Sequence, residues 1–385
     1  MREVIMNEVF QTIDELFDPY KQIVLDLVNM ESKSTNKAGV DAVGTYIADL
    51  MASQGYKIHK EPMETAGNVY CITLNPHSPH APVCLSGHMD TVFDDGVFGF
   101  PPASMDDTYF YGPGVCDCKG GIVVAMLTME ALRQSGYTKR PVKLILQSDE
   151  EVNSMLSQGK TVQFMCEQAK DAVAFLNCMG IRGHNLVTRR KGICDVQIQV
   201  TGKAAHAQYY FDGASAIRAA AHIVLEIEKH SAKNGITYNF GLIKGGSARN
   251  AVPDTCMLEL DCRFTEMADL DHIQRVLHQV LEKTYVEGTH ANITRLHHRP
   301  SMVKNAKNKA LFDQCNRALR QCGLPEYGET SSGGGSDAAY TTLAGIPTLE
   351  SMGVRGYDIH TPYEKAEIAS LKEQAKAMAA LILSL

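Results

Sequence analysis

The hydrophobic pattern changes style twice along the 385 residues. At the start, Val9, Ile13, Leu16 and Phe17 fall on one side of a helical wheel, which predicts an amphipathic helix. A second helical pattern covers about 40–55, and others lie at about 120–135 and 158–169. Between them come short strand-like runs: Asn68–Leu74, Pro82–Ser86, Val142–Gln147 and Ala172–Leu176. The last three are nearly all apolar, as strands covered on both faces of a mostly parallel sheet must be. Near Lys191 the style shifts. DVQIQVTG alternates strictly, while MLELDCRF (257–264) and NITRLHHR (292–299) alternate more loosely, so these are half-exposed antiparallel strands. Helical patterns at about 213–231 and 268–284 separate them. After Pro300 the first style returns, with a helix over 306–322, a glycine-rich loop, GIPTLES and a C-terminal helix. The predicted fold class is α/β: a mostly parallel-sheet domain over 1–190 and 301–385, interrupted by an inserted α+β domain over 191–300.

Composition changes little in this picture. With 44% apolar and 21% charged residues the chain is globular throughout. A net charge of -7 and a sequence pI near 6.1 supply no basic footprint for nucleic acid or an anionic membrane. No run of about eighteen apolar residues predicts a membrane span, and the N-terminal stretch does not read as a secretory signal. The eleven cysteines are scattered, several inside strand-like runs (Cys71, Cys84, Cys194, Cys256, Cys262), as expected of reduced thiols in a cytoplasmic protein.

The candidate chemistry sits in loops beside these buried elements. Ser86-Gly87-His88-Met89-Asp90-Thr91 ends a buried strand, where open α/β sheets build their sites. His88 could bind a metal and Asp90 could orient it; taken alone, the pair reads rather as a surface loop. Gly112-Pro113-Gly114-Val115-Cys116-Asp117-Cys118-Lys119-Gly120-Gly121 precedes a helix and fits neither phosphate-loop spacing, so Asp117 is a candidate for hard cations. Asp149-Glu150-Glu151 ends the strongest buried strand. This is either a solvated acidic turn or a metal ligand beside an acid whose pKa is raised for proton transfer. Ser331–Asp337, with three consecutive glycines, is a flexible turn or an anion cradle. Ile359-His360-Thr361-Pro362-Tyr363-Glu364 adds a late histidine.

As an ordered series, GHMDTVFDDG, GPGVCDCKGG, SDEE, TGKAAHA, KGGSARNAVPD, GGGSDAAY, AGIPTLES and DIHTPYE resemble the zinc-dependent family of bacterial glutamate carboxypeptidases, acetylornithine and succinyl-diaminopimelate deacetylases, aminoacylases and tripeptidases. The resemblance runs from about residue 20 to the end. It is greatest to the glutamate carboxypeptidase branch, through DTVFDDG, HRPSMVKNA and GGGSDAAY. It implies two divalent metal ions, zinc first, with cobalt or manganese also suited to His and carboxylate ligands. His88 would bind the first, Asp117 bridge both, and Glu151 and His360 bind the second. Glu150 would be the general base and acid, with Asp90 tuning His88. His206 would stabilise the oxyanion in a partner subunit's site. Asn250 and Arg299 would hold the substrate carboxylate, with Gly333, Gly334 and Gly335 lining its pocket. The inserted domain, ferredoxin-like in that family, would pair with its copy in a homodimer.

One position departs. The acidic ligand expected for the first metal falls on Asn177, with Cys178 beside it. Asn177 binds weakly, or Cys178 substitutes as a thiolate, or the ligand lies elsewhere. The expected reaction is hydrolysis of an amide next to a free carboxylate, in a peptide or an N-acyl amino acid. Two alternatives stand beside it: an N-acyl amino acid deacetylase or desuccinylase, and a silent relative that binds peptide or amino acid without cleaving it.

Overall fold

The computed structural model describes residues 2–385, with side chains from residue 5 onward. The chain divides into two compact units. The first comprises Met1–Thr188, Lys304–Ser331 and Tyr340–Leu385; the second comprises Arg189–Val303 and Ser332–Ala339.

The first unit is built on a six-stranded sheet. Its order is Lys57–Glu61, Val69–Leu74, Val142–Gln147, Val83–His88, Ala174–Asn177, Thr348–Leu349. The first two pairings are antiparallel and the remaining three are parallel. Val142–Gln147 and Val83–His88 lie at the centre and are almost wholly buried, which is why they read as continuous apolar runs. Helices Arg2–Asn29, Gly120–Gln134 and Ile368–Ser384 pack together against the sheet. The N-terminal stripe faces inward as its period requires: Val9 and Ile13 are buried, and Leu16 and Phe17 pack at the margin of the same core. GIPTLES, expected to be a strand, pairs only through Thr348 and Leu349.

Parallel pairing has one consequence for function. The register sets His88 opposite Gln147, and Ser86 opposite Asn177. The Asp149–Glu151 turn, the His88–Asp90 loop, Asn177 and Glu350 therefore all emerge at the same, C-terminal edge of the sheet.

The second unit is an antiparallel sheet in the order Thr237–Gly245, Thr255–Phe264, Gly192–Thr201, His290–Arg299. Helices Ala216–Glu228 and Ala268–Leu281 bury their apolar stripes on its core. The βαββαβ order is ferredoxin-like, as expected. Thr237–Gly245 was not among the strands read from the pattern. A register shift between Phe240 and Leu242 breaks its alternation, so Leu242 and Ile243 both face outward. Residues 332–339, expected with the larger domain, belong to this unit because arginines hold them. Arg190 donates to the Gly335 carbonyl at 3.1 Å and Arg263 to that of Gly333 at 3.3 Å.

Among the described residues no helix is long and apolar enough to cross a membrane.

Candidate metal centre

His88, Asp117 and Glu151 each place a donor atom within 4.8 Å of the other two, the spacing a shared cation needs. His88 Nε2 lies 3.0 Å from one Asp117 oxygen. His360 Nε2 lies 3.5 Å from the other Asp117 oxygen and 3.1 Å from Glu151. Asp117 thus stands between two histidines, one carboxylate oxygen toward each, as a bridging ligand must. His360 holds a left-handed backbone, with φ of 62°. That costs a non-glycine residue about 1–3 kcal/mol and persists where surrounding structure enforces it.

Each side chain is held from behind. Asp90, fully buried, faces His88 Nδ1 at 3.3 Å, and its backbone carbonyl is 3.0 Å from the same nitrogen. This leaves Nε2 toward Asp117. Asp90 also accepts the backbone N–H groups of Glu150 and Glu151, at 3.2 and 3.1 Å, and the Ser34 hydroxyl at 2.7 Å. One carboxylate therefore braces both the first histidine and the acidic turn. Asp149 takes no part in the cluster. It accepts the Thr161 hydroxyl at 2.7 Å and the Ser157 N–H at 2.8 Å, closing the turn after its strand. Within the acidic triplet Asp149 is thereby a structural acid, while Glu151 meets the cluster.

The glycines of the Asp117 loop answer to packing rather than to phosphate. Gly114 has φ of 73°, a left-handed conformation that favours glycine. A Cβ on Gly121 would come within 1.8 Å of the Cys178 carbonyl, so only glycine lets this helix start so close to the neighbouring strand. Cys116 and Cys118 are buried on either side of Asp117.

The electrostatics report a surplus of negative charge. Burial, then the nearby Asp117 charge, pushes the Glu151 carboxyl up to about 8. Hydrogen bonds to Asp117 and Glu151 raise the His360 imidazole to about 10. Burial opposes charge on His88, but neighbouring Cys118, Asp117 and Asp90 outweigh it and raise its pKa. Protons are held where a divalent cation would discharge the same carboxylates, so the donor set fits hard or borderline cations.

Asn177 ends its strand, 2% exposed, and its amide donates to the Glu350 carboxylate at 2.9 Å. Glu350 is fully buried and was not singled out from the sequence. Cys178 points the other way, into the apolar core, with its thiol toward the Leu176 carbonyl. Successive strand residues face opposite sides, so Asn177 and Cys178 cannot share one site without moving the backbone.

The remaining predicted residues belong to the second unit. His206 and Asn250 come together there: Ala205–His206 pairs with Ala251–Val252, and the Ala207 N–H donates to the Asn250 carbonyl at 2.9 Å. Both are exposed. Arg299 is 3% exposed, 3.8 Å from Asp337. A Cβ on Gly335 would meet its Cδ at 2.7 Å, so that glycine seats the arginine. Gly333 and Gly334 are exposed, with no such packing demand.

The profile of Peptidase family M20/M25/M40 matches residues 84–384. Carboxypeptidase G2 of Pseudomonas sp. (strain RS-16) is 26% identical, over 98% of this chain and 92% of its own length. The succinyl-diaminopimelate desuccinylase of Psychrobacter arcticus is 24% identical over 90% of this chain and 86% of its own. Among solved structures, a tripeptidase from Staphylococcus aureus superposes with a TM-score of 0.74 at 22% identity, covering 95% of this chain and 98% of that one. A dinuclear metal-binding peptidase of the M20 family from Bacillus subtilis gives 0.68 at 15% identity, over 96% and 98%. At these identities the structural likenesses speak to the fold.

Proposed function

The chain belongs to peptidase family M20/M25/M40 and is a hydrolase of that family; from this we propose that it is a carboxypeptidase. Its substrate is a peptide or N-acyl amino acid whose leaving amino acid carries a free carboxylate. The observation that carries the reading is the cluster of His88, Asp117, Glu151 and His360 donors, with Glu150 adjacent in the chain. The extended likeness to carboxypeptidase G2 supports this choice of substrate class.

His88, Asp117 and Asn177 would hold one divalent ion, and Asp117, Glu151 and His360 a second. Zinc is proposed first, with cobalt or manganese compatible. When bound, such ions polarise the scissile carbonyl and acidify water. Glu150 takes a proton from the attacking water and returns it to the leaving amine. Asp90 fixes the His88 ring through Nδ1 and the Glu150–Glu151 backbone through its two oxygens. His206 is assigned to the developing oxyanion in a partner subunit's site, and Asn250, Arg299 and the Gly333–Gly335 backbone to the substrate carboxylate. The test is metal content per chain after purification without chelator, together with hydrolysis of an N-acyl-glutamate panel. About two ions and turnover support the reading. One ion or none, and no turnover after adding zinc, cobalt or manganese, leave a binding-only relative. Preference for N-acetyl or N-succinyl amino acids over peptides would instead make it a deacylase, as the relation to the desuccinylase allows.

Arg299→Ala raises KM for carboxylate substrates at least about tenfold more than for a neutral amide analogue, since a charge-assisted hydrogen bond contributes about 1.5–3 kcal/mol. The competing role is packing against Asp337. Steady-state kinetics on both substrates decide, because equal losses on the two would leave Arg299 purely structural.

The homodimer is proposed to form through the second unit. Its outermost strand, Thr237–Gly245, exposes Leu242 and Ile243, and the helix Ala216–Glu228 exposes Ile217 and Leu225. An uncovered apolar edge strand invites pairing with a second copy. Sedimentation should show a dimer at micromolar concentration that Ile243→Lys with Leu225→Lys converts to monomer. A parent chain that sediments as a monomer removes the dimer. The free thiols of all eleven cysteines suit the proposed cytoplasmic location.

A further inference from the structure

We infer that Glu364 is a positioning residue that sets Asp117 and His360 at ligand spacing, an inference that rests on the metal-centre reading above. The Glu364 side chain is 1% exposed and touches neither histidine among its hydrogen bonds. Instead, one carboxylate oxygen accepts the Cys116 N–H at 2.8 Å and the Asp117 N–H at 3.0 Å. The other accepts the Gly114 N–H at 3.1 Å. Its own backbone carbonyl accepts the Gly112 N–H at 3.3 Å. Four hydrogen bonds thus fasten residues 112–117 to a single residue, almost 250 positions away in the chain.

The loop needs such a partner. Gly114 is left-handed, and Asp117 has φ of -120° and ψ of 87°, outside the helical range. The buried N–H groups of this irregular turn point inward with no ladder to join, and unpaired they would each carry a desolvation cost. Only a carboxylate offers two oxygens that both accept and neither donates. The Asp117 side chain is left clear of these bonds and meets His88 and His360.

Glu364 also lies on the His360 segment. Its N–H donates to the Thr361 carbonyl at 3.1 Å, and the Thr361 N–H to that of Asp358 at 3.2 Å, which fold 358–364 into consecutive tight turns. One residue therefore ties together the two segments that bear Asp117 and His360. A neutral acceptor would satisfy part of the loop.

The experiment uses the full chain, stripped of metal and titrated with Zn²⁺ against a chromophoric chelator. Glu364→Gln keeps the size but turns an amide NH₂ toward at least one backbone N–H. Its zinc affinity is expected to fall about 10–100-fold. KM for an N-acyl-glutamate should stay within twofold, and most of kcat should return at saturating zinc. Melting of the metal-free protein is followed in parallel. If Glu364→Gln does not fold, Glu364→Asp, which keeps both oxygens one methylene shorter, is expected to show a smaller loss of affinity. Parental zinc affinity in the folded variant overturns the inference, as does a kcat loss that saturating zinc leaves untouched. A parent chain that binds no zinc, cobalt or manganese overturns the metal-centre reading itself.

Discussion

Glu150→Gln is expected to lower kcat by about 10²–10⁴-fold, the range for loss of a positioned general base, while metal content per chain stays at the parental level. The substitution is isosteric, and what fixes the turn is preserved: the Glu150 and Glu151 N–H groups still donate to Asp90, and Asp149 still closes the turn onto Ser157 and Thr161. The ability to take and return a proton is removed. Glu150 is 5% exposed, so bulk buffer cannot readily stand in for it. KM should change little, because the lost interaction belongs to the transition state. Elemental analysis beside single-substrate kinetics separates the outcomes. Loss of an ion along with activity would make Glu150 a ligand, and retained activity would move the base elsewhere.

Asn177→Asp should have opposite effects with and without metal. Asn177 Nδ2 and the Glu350 carboxylate sit 2.9 Å apart, 2% and 0% exposed. An aspartate there sets a second carboxylate against the first. Two carboxylates so close cannot both ionise, so one keeps a proton or the pair separates. The hydrogen-bond donor is lost as well, and metal-free protein should be less stable by about 1–3 kcal/mol, the cost of an unsatisfied buried polar group. A divalent ion removes the conflict by neutralising the new charge. The gain in melting temperature on adding zinc should therefore exceed the parent's, and the weaker of two binding steps should tighten. Calorimetric titration of both proteins reads this directly. A destabilised variant with unchanged metal affinity would show that Asn177 serves only to anchor Glu350, and that the first ion finds its ligand elsewhere.

These two residues mark where local reading stops. VKLILQ could be recognised as a central strand, and the acids after it as site residues, because a strand covered on both faces must be continuously apolar. His88 and Asp117 were legible for related reasons: one follows a buried strand, the other lies among glycines before a helix. The helix periods at the N-terminus, 40–55 and 306–322 were likewise sufficient, since each helix has one buried face. Thr237–Gly245 escaped because its bulge at Gly241 breaks the period of two.

What only the tertiary structure decided was which polar groups meet. Asp90 reaches the 150–151 backbone, Asn177 reaches Glu350, and Glu364 reaches the 114–117 loop, across separations of 60, 173 and about 250 residues. Nothing in the local pattern marks such pairs, for a buried carboxylate has the same appearance in sequence whether it faces a cation, an amide or a row of backbone N–H groups. Element type is set by hydrophobic period, a property of neighbouring residues. The role of each acid is set by the strand ends brought side by side, and by the requirement that every buried polar group there find a partner.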